Sequence, residues 1–428
     1  MKILLVEPHL GIKRTWLYRY ILYRSLALEQ IAALTPDIHS VDIIDEKFKN
    51  IDFTKDYDLV GISCLTCNAI RGYEISDEFR SRGIPVVLGG YHPTALPEEA
   101  KIHADSVVIG EAELIWPQLL KDLENRELKP FYKADKFVDG KLIPPAKRSK
   151  DNISFSASIQ ASRGCPTRCK FCAMHYVEGA IFRPRPINIV IEEIKSIKQK
   201  NLFFVDSSLT INPNYSKNLF KEMIGLNKKF ECFGNINILE KDNELLKLAS
   251  DAGCTRWLVG IESIFQKNID DMGKRTNKVK RYEASIRNIK DHGMMVTGLF
   301  MFGFDNDIVD IFDNTLEAMY KWDLDNAAFS IVTPYPGTCL FNQLKKEGRI
   351  ISYDWSRYTE GNVNFKPKNM SPEELLQGII KINKEYYSYA SSMKRCLGSK
   401  NLSLSLFINK FWRNLFSTKL FNKELFNY

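Results

Sequence analysis

The sequence lacks the long apolar runs and dense charge blocks that mark membrane-spanning or nucleic-acid-binding proteins. No stretch of about 18 uncharged apolar residues occurs, which argues against a membrane-spanning helix. The first residues, Met1–Pro8, carry a charge at Glu7 and predict a strand rather than a signal peptide. The net charge of +8 is spread along the chain without a basic stripe, which argues against nucleic-acid binding.

The motifs of several common enzyme classes are also missing. No Ser-His-Asp constellation and no phosphate-binding P-loop is recognisable in the chain. The 9 cysteines are not spaced as a disulfide framework, so we expect a reducing cytoplasm. A length of 428 residues with 44% hydrophobic content is enough for two or three domains with cores of their own.

What the chain does contain is a short segment with three cysteines at C-x3-C-x2-C spacing, Cys165, Cys169 and Cys172. Three thiolates on one tight loop can ligate three irons of a [4Fe-4S] cluster and leave the fourth iron open. Zinc is the alternative, but it prefers four protein ligands and only His175 is nearby. The spacing therefore predicts an iron–sulfur cluster.

The segment Ser158–Cys172, with the aromatic Phe171 before its last cysteine, resembles the signature loop of the radical SAM superfamily. The resemblance implies that the open iron chelates S-adenosylmethionine (SAM) and that one electron from the cluster cleaves it to a 5′-deoxyadenosyl radical. It also implies that Phe171 belongs to the cofactor site. In such an enzyme the cofactor carries the difficult chemical step.

Residues 1–125 alternate short apolar runs with helical patterns. Strands that are apolar throughout and separated by helices predict a parallel sheet covered on both faces, with ligands at the carboxyl ends of the strands. The predicted strands are Ile3–Val6, Val41–Ile44, Leu59–Ile62, Val86–Leu88 and Val107–Ile109.

Three of these predicted strands are followed by small and polar residues, in Ser63–Thr66, Gly89–Thr94 and Gly110–Glu113. These segments resemble the cobalamin-binding domain of the B12-binding radical SAM family. A cobalt-ligating D-x-H-x-x-G motif is absent, because Asp42 stands where glycine is required after His39, which we expect at the surface. The resemblance implies cobalamin contacts from Ser63, Thr66, Gly89, Gly90, Tyr91, His92, Gly110 and Glu111.

From Ser154 onward the strand–helix alternation restarts. Six such units predict an incomplete (β/α)6 barrel with its functional residues at the carboxyl ends of the strands. The predicted strands are Phe155–Ala161, Leu202–Val205, Glu231–Gly234, Trp257–Ile261, Met295–Phe302 and Ala327–Val332.

Glycines and polar residues near the ends of these predicted strands are the candidates for binding SAM. A carboxylate at the end of the fourth strand can hold a ribose hydroxyl or an ammonium group; the alternative is a solvated turn residue. Glycines within a strand let a flat group lie against the backbone. The resemblance implies SAM contacts from Asp206, Ser207, Gly260, Glu262, Ser263, Gly298 and Gly303, and it places Tyr335 at the substrate end as a catalytic candidate.

The C-terminal region resembles the accessory region of a subgroup of the same family, through Asp354-Trp355 and Met370–Glu374. Ser371, Pro372 and Glu374 predict a capped helix over Glu373–Ser391. The tail, Leu402–Tyr428, places aromatics and basic residues at helical spacing. It predicts either an interfacial amphipathic segment, which would point to a lipid substrate, or a helix packed on the protein's own barrel.

Together with the resemblance, these patterns predict an α/β protein: a doubly wound, Rossmann-like cobalamin-binding domain over 1–135, a linker over 136–153, a radical SAM partial barrel over 154–340 and a helical accessory region over 341–428. The predicted enzyme is a cytoplasmic C-methyltransferase, in contact with the inner membrane surface if the tail is interfacial. Its predicted cofactors are a [4Fe-4S] cluster, SAM and cobalamin, and its predicted partners are a small-molecule or lipid substrate and a flavodoxin- or ferredoxin-type electron donor.

Other reactions are compatible with the same domains. They include cyclisation, ring rearrangement and carbon–carbon coupling, and a non-catalytic cobalamin or iron–sulfur sensor is the alternative outside enzymes. A sulfur-inserting, RNA-modifying enzyme would need a third cysteine beside Cys64 and Cys67.

Overall fold

The computed structural model describes residues 1–9, 24–148, 154–399 and 402–417. Its N-terminal part is a parallel six-stranded sheet in the order β2-β1-β3-β4-β5-β6. The elements are β1 Lys2–Glu7, α1 Leu26–Leu34, β2 Ser40–Asp45, β3 Leu59–Ser63, α2 Ala69–Ser81, β4 Val86–Gly89, α3 Tyr91–Ala95, α4 Pro97–Ile102, β5 Ser106–Ile109, α5 Trp116–Glu124 and β6 Phe131–Lys133.

Side chains that alternate along these strands enter two separate cores. Leu4 and Leu88 pack under α2 and α4 on one face, whereas Leu5 and Val87 pack under α1 and α5 on the other. Helices on both faces of a parallel sheet make the domain doubly wound, as predicted. The order 2-1-3-4-5 places its topological switch point between β1 and β3, where ligands bind in such sheets.

The second part is another parallel six-stranded sheet, with strands in the order β14-β13-β12-β11-β10-β7 and an antiparallel pair β8-β9 beside it. The elements are β7 Ser156–Ile159, β8 Ser162–Arg163, α6 Met174–Val177, β9 Arg183–Pro184, α7 Ile187–Ser196, β10 Asn201–Phe204, α8 Pro213–Met223, β11 Lys229–Gly234, α9 Ile236–Leu239, α10 Asn243–Asp251, β12 Cys254–Glu262, α11 Gln266–Asp271, α12 Tyr282–Asp291, β13 Met295–Phe302, α13 Ile311–Lys321 and β14 Asn326–Ile331.

Strands that follow chain order and leave β7 and β14 as edges form an open barrel, so the predicted partial barrel is confirmed. One face of each strand packs under the helices; Trp257, Val259 and Ile261 lie there, fully buried. Alternate residues such as Leu258 and Leu299 face the other way and stay half-buried. That other face lines the lumen of the barrel.

The C-terminal part is helical and packs along the barrel's edge strand. Its helices are α14 Cys339–Lys346, α15 Pro372–Tyr386, α16 Tyr389–Gly398 and α17 Leu402–Ser417. The predicted cap is present, because Ser371 Oγ accepts a hydrogen bond from the Glu374 N–H at 3.1 Å and Glu374 accepts one from the Ser371 N–H at 2.7 Å. Tyr386 donates to the Leu324 carbonyl at 2.8 Å, which ties α15 to the start of β14.

The tail helix α17 shows one face to the protein and one to solvent. Ile408 and Asn409 are buried, and Asn409 accepts from Arg395 on α16. Leu406 and Phe407 are exposed. The tail predictions from residue 418 onward lie outside the described residues. Within the described part, no helix is long and apolar enough to cross a membrane.

Two details of the first domain differ from expectation. His39 is buried rather than at the surface, because its ring bonds the amino group of Met1 at 3.1 Å and faces Glu124 at 3.5 Å. The strand Phe131–Lys133 was not predicted, since three residues at a sheet edge give too short a pattern to recognise.

Candidate active site

The three predicted cluster cysteines lie on the loop between β8 and α6. Gly164 begins this loop at φ 82°, and a Cβ there would lie 2.0 Å from the carbonyl oxygen of Ile181, so only glycine fits. Inside the loop the Cys172 N–H donates to the Cys169 carbonyl at 3.0 Å. This tight turn brings Cys165, Cys169 and Cys172 together.

The thiols of this loop act on one another electrostatically. Burial raises the pKa of Cys169 to about 12, Lys274 opposes this, and Cys172 adds to it. Burial likewise raises the pKa of Cys172 to about 11, with a contribution from Cys165. The three thiols therefore lie near enough to interact with one another.

This donor set fits a cluster better than a single ion. Among the described residues, no three His, Cys, Asp or Glu side chains come close enough to hold one metal ion. Thiolates that ligate different irons of a cluster stand farther apart than the ligands of one ion, so three thiols spread over this loop suit [4Fe-4S].

A buried ion pair lies beside the cysteine loop, at the end of β12. Glu262 adopts a left-handed φ of 65°, which is uncommon for a residue with a side chain. Its carboxylate accepts from Lys274, whose ammonium also donates to the Gly260 carbonyl at 2.9 Å. Although burial disfavours its charge, Glu262 and Cys169 raise the pKa of Lys274. Sequence reasoning missed Lys274, which lies in a loop 12 residues after its partner.

Two other predicted SAM residues are engaged within the barrel itself. Asp206 accepts from the Ala161 N–H at 3.0 Å and from Ser162 Oγ at 2.6 Å, and burial raises its pKa to about 6. Ser207 donates to Glu178 at 3.3 Å. Asp206 thus holds the turn that leads into the cysteine loop, and Ser207 bonds a residue that follows the loop.

The remaining predicted SAM residues have varied surroundings. Ser263 accepts from the Phe265 N–H at 3.1 Å within its own loop. A Cβ on Gly298 would lie 2.8 Å from Leu324, on the helix side of the sheet. A Cβ on Gly303 would lie 2.8 Å from a methyl of Leu375 on α15. Phe171 packs against the barrel core, beside the cysteine loop.

In the first domain, the loops after β3, β4 and β5 bind one another. The Cys64 N–H donates to the Gly89 carbonyl at 2.8 Å, and the Gly110 N–H donates to Thr94 Oγ1 at 2.9 Å. Gly90 has φ 93°, and a Cβ on it would lie 2.9 Å from Ser63 Oγ. The predicted cobalamin loops thus form one continuous rim.

This rim has the features of a ligand cradle. A Cβ on Gly110 would meet no atom within 4 Å, so space is open above the end of β5. Thr66 Oγ1 is buried without a hydrogen-bond partner among the described residues. Leu65, at the crest of the loop after β3, is 56% exposed. An open space with one unpaired polar atom and an exposed apolar side chain fits a large flat ligand such as cobalamin.

Two predicted cobalamin residues join this domain to the rest of the protein. Tyr91 donates to the Pro336 carbonyl at 2.6 Å, and its ring lies edge-on to Tyr335 at 6.1 Å. The His92 ring is fully buried, contacts Glu99 at 3.1 Å and lies edge-on to Trp355 at 5.3 Å. His92 therefore serves the interface with the C-terminal region.

Glu111 connects the first domain to the cysteine loop. Its carboxylate accepts from Arg163 at 3.0 Å and from Arg183 at 2.8 Å, and Glu113 also pairs with Arg163 at 2.6 Å. Burial opposes the charge of Arg163, yet Glu113 and Glu111 raise its pKa. Arg163 directly precedes Gly164, so the carboxyl ends of the two sheets face each other, and the space between them is called the cleft below. Arg163 was not among the predicted site residues.

Tyr335, predicted at the substrate end, lies in this cleft. Its hydroxyl donates to Glu360 at 3.1 Å. Glu360 was also missed, because it comes from the C-terminal region, 25 residues away in sequence.

Three family models match the chain. The B12 binding domain matches residues 22–120, the radical SAM superfamily matches 159–319, and a domain of unknown function, DUF4070, matches 338–403. The first two cover most of the doubly wound sheet and most of the open barrel.

Named relatives and a solved structure agree with these matches. Bacteriochlorophyllide d C-12(1)-methyltransferase of Chlorobaculum tepidum is 32% identical over 92% of this chain and 89% of that protein. The C-8(2)-methyltransferase of the same organism is 33% identical over 87% of each chain. The cobalamin-dependent SAM radical enzyme OxsB, with aqua-cobalamin bound, has 13% identity and a TM-score of 0.71, over 99% of this chain and 73% of that one.

The predicted cofactors, a [4Fe-4S] cluster, SAM and cobalamin, are confirmed by these matches, as is the prediction of a radical SAM enzyme. The methyltransferase prediction is supported over the cyclase alternative. The chain belongs to the cobalamin-dependent radical SAM methyltransferases.

Proposed function

We propose that this enzyme methylates a carbon of a small, largely apolar molecule held in the cleft between its two sheets. The observation that carries the proposal is the meeting of the two carboxyl-terminal edges, through Tyr91 with Pro336 and through Glu111 with Arg163. Sites for the two cofactors then open into one space. When bound, the cluster and SAM supply hydrogen-atom abstraction from an unactivated carbon, and cobalamin supplies the methyl carrier.

We assign residues to each cofactor from these contacts. Cys165, Cys169 and Cys172 ligate the cluster. Glu262, held by Lys274, presents a carboxylate beside them for polar groups of SAM. A buried carboxylate fixed by a cation is a strong and well-oriented acceptor.

Cobalamin is held by the rim of the first domain, through Ser63, Thr66, Gly89, Gly90 and Gly110. The open space at Gly110 and the unpaired Thr66 Oγ1 support this assignment. His92, which also belongs to the rim, has its ring buried against Glu99 at 3.1 Å.

From the cleft, the apolar body of the substrate extends into the barrel lumen. Half-buried apolar side chains line that face, and Phe203 and Phe233 lie edge to face at 5.6 Å. Such a wall suits an apolar ring system. Because two relatives are named for methylating bacteriochlorophyllide d, a tetrapyrrole is the first candidate. A lipid is the second, and the exposed Leu406 and Phe407 of the tail helix suit contact with a membrane surface.

An acidic electron-transfer protein of the flavodoxin or ferredoxin type is the proposed electron donor. A groove of about 820 Å³ lies at the start of α11, with Ile264 and Phe265 in its floor and Lys267, Lys278 and Lys280 around it. Lysines around an apolar floor complement an acidic protein surface.

The test is transfer of a labelled methyl group. The anaerobically purified holoenzyme is incubated with methyl-deuterated SAM, a reductant, and either bacteriochlorophyllide d or an organic-solvent extract of the source organism's cells. We expect a product that carries the deuterated methyl group, together with 5′-deoxyadenosine, and neither with the Cys169→Ala variant. Formation of 5′-deoxyadenosine without a labelled product would contradict methyl transfer.

A further inference from the structure

Glu360 stands at the carboxyl end of β14, although it belongs to the C-terminal region. Its carbonyl accepts a hydrogen bond from the Ile331 N–H at 2.7 Å, which fixes its loop to the end of that strand. In barrel enzymes the carboxyl ends of the strands carry the functional side chains. The C-terminal region, which matches a domain of unknown function, thus contributes a carboxylate to the cleft.

Two hydrogen bonds fix the carboxylate of Glu360, and it can still accept others. Its Oε1 accepts from the Tyr335 hydroxyl at 3.1 Å and its Oε2 from Ser330 Oγ at 3.4 Å. Two carboxylate oxygens can accept about four hydrogen bonds, so capacity remains for a ligand. Among the described residues, no Lys, Arg or His contributes to the pKa of Glu360, and the residue is exposed to solvent.

The groups around Glu360 belong to both cofactor sites. Glu262, on the SAM side, adds to the burial that raises the pKa of Glu360, while its bonds from Tyr335 and Ser330 oppose this rise. On the cobalamin side, Glu360 acts on the thiol of Cys67. Glu360 is accessible to solvent, and its partner Tyr335 lies edge-on to Tyr91 of the first domain at 6.1 Å, so Glu360 stands between the two sites.

The backbone of Glu360 is also unusual. Its φ of 64° lies in the left-handed region, which is unfavourable for a residue with a Cβ. Such conformations persist where the surrounding structure holds them, and they cluster at ligand sites. Glycine would be the better residue here if conformation alone mattered.

We propose that Glu360 is a specificity-determining residue that binds the polar end of the substrate. Its carboxylate accepts a hydrogen bond from a hydroxyl or N–H group of an otherwise apolar molecule, and so sets which carbon lies between the two cofactors. Tyr335 and Ser330 orient the carboxylate and are positioning residues. This inference rests on the proposed function.

The test compares Glu360→Gln, Glu360→Gly and Tyr335→Phe with the wild type. Glu385→Gln is the matched control, since Glu385 is an exposed carboxylate on α15. Each holoenzyme receives methyl-deuterated SAM and a dilution series of the cell extract or bacteriochlorophyllide d. Iron content, cobalamin content, melting temperature and 5′-deoxyadenosine are measured in the same preparations.

We expect both Glu360 variants to keep their cofactors and to cleave SAM. Their apparent KM for the methyl acceptor should rise at least tenfold, and more 5′-deoxyadenosine should form per labelled product. Glu360→Gly should melt at or above the wild-type temperature, because glycine relieves the left-handed strain. Tyr335→Phe should raise KM less, and Glu385→Gln should match the wild type.

Three results would overturn the inference. Wild-type KM in Glu360→Gln would show that the carboxylate does not bind substrate, while the proposed function would stand. Loss of cofactors in both Glu360 variants would show a structural role instead. A wild-type enzyme that transfers no label would defeat the proposed function, and the inference with it.

Discussion

The cluster loop and the rim proposed to bind cobalamin face the same cleft, but they are formed differently from the sequence. The cluster loop takes its three ligands from eight consecutive residues, Cys165–Cys172, whose chemistry is visible in their spacing. The rim consists of backbone and small side chains from three separate strand ends. Hydrogen bonds join them, such as the one that the Gly110 N–H donates to Thr94 Oγ1. A site that binds its cofactor through side-chain ligands can therefore be recognised from one short sequence motif. A site that binds its cofactor mainly through backbone shape cannot.

The sharpest way to separate the two sites is to remove one cluster ligand. Cys169→Ala should abolish the cluster and all SAM cleavage, because two thiolates cannot replace three, while cobalamin uptake persists. Iron analysis, electron paramagnetic resonance and cobalamin absorbance check this. Cys339→Ala, at an exposed cysteine, is the control. A cluster retained in Cys169→Ala would break the assignment.

The link between the sites should have the next largest effect. Arg163→Gln leaves the carboxylates of Glu111 and Glu113 buried with a lost partner, and breaking a buried pair costs about 3–5 kcal/mol. Denaturant unfolding measures this loss. Arg82→Gln, which breaks an exposed pair with Glu78, should cost about 0.5 kcal/mol. Similar losses of unfolding free energy in the two variants would mean that the Arg163 ion pairs stabilise the protein no more than an exposed pair does.

The raised pKa of Asp206, a residue of the barrel, predicts that the stability of the protein depends on pH. Burial raises the pKa of Asp206 in the folded state to about 6 from its usual 3.8, so the folded state binds the proton more tightly. Its stabilising contribution is complete below the unfolded pKa and is lost as pH rises through the folded one. The shift corresponds to about 3 kcal/mol.

Unfolding of the wild type and Asp206→Asn, measured between pH 4 and 7, isolates this contribution. The difference in unfolding free energy between the two should change across that range, with the wild type losing stability relative to the variant as pH rises. A pH-independent difference would show that Asp206 titrates normally.

The smallest loss of stability should come from placing a side chain in the open space at the rim. Gly110→Val and Gly293→Val both place a side chain at positive φ with no atom within 4 Å, so each should cost about 1–2 kcal/mol. Only Gly110→Val should also lower cobalamin affinity, by at least tenfold, in an absorbance titration. Equal cobalamin affinity in the two variants would place the cofactor elsewhere.

The sequence was sufficient for features carried by local pattern. The apolar runs predicted the strands of both sheets, apart from the three-residue β6, and the cysteine spacing predicted the cluster loop. Ser371 and Glu374 predicted the cap of α15 because the capping box is a pattern of four consecutive residues.

Features that depend on contacts between residues far apart in the sequence could not be predicted from it. Lys274 and Glu360 enter the site from loops whose positions depend on the folded barrel. His92 follows a strand like its neighbours, yet its ring turns to Glu99, which also accepts from Trp355, 256 residues away. No local signal distinguishes a strand-end residue that faces the cleft from one that faces another domain.

The most direct test of the two-site cleft is the cofactor content of the wild type. The protein is purified anaerobically from cells supplied with cobalamin, and its iron, sulfide and cobalamin are measured per chain. The account predicts one [4Fe-4S] cluster and one cobalamin together, with the cluster's resonance signal changing when SAM is added. A protein that loads its cluster but takes up no cobalamin would contradict it.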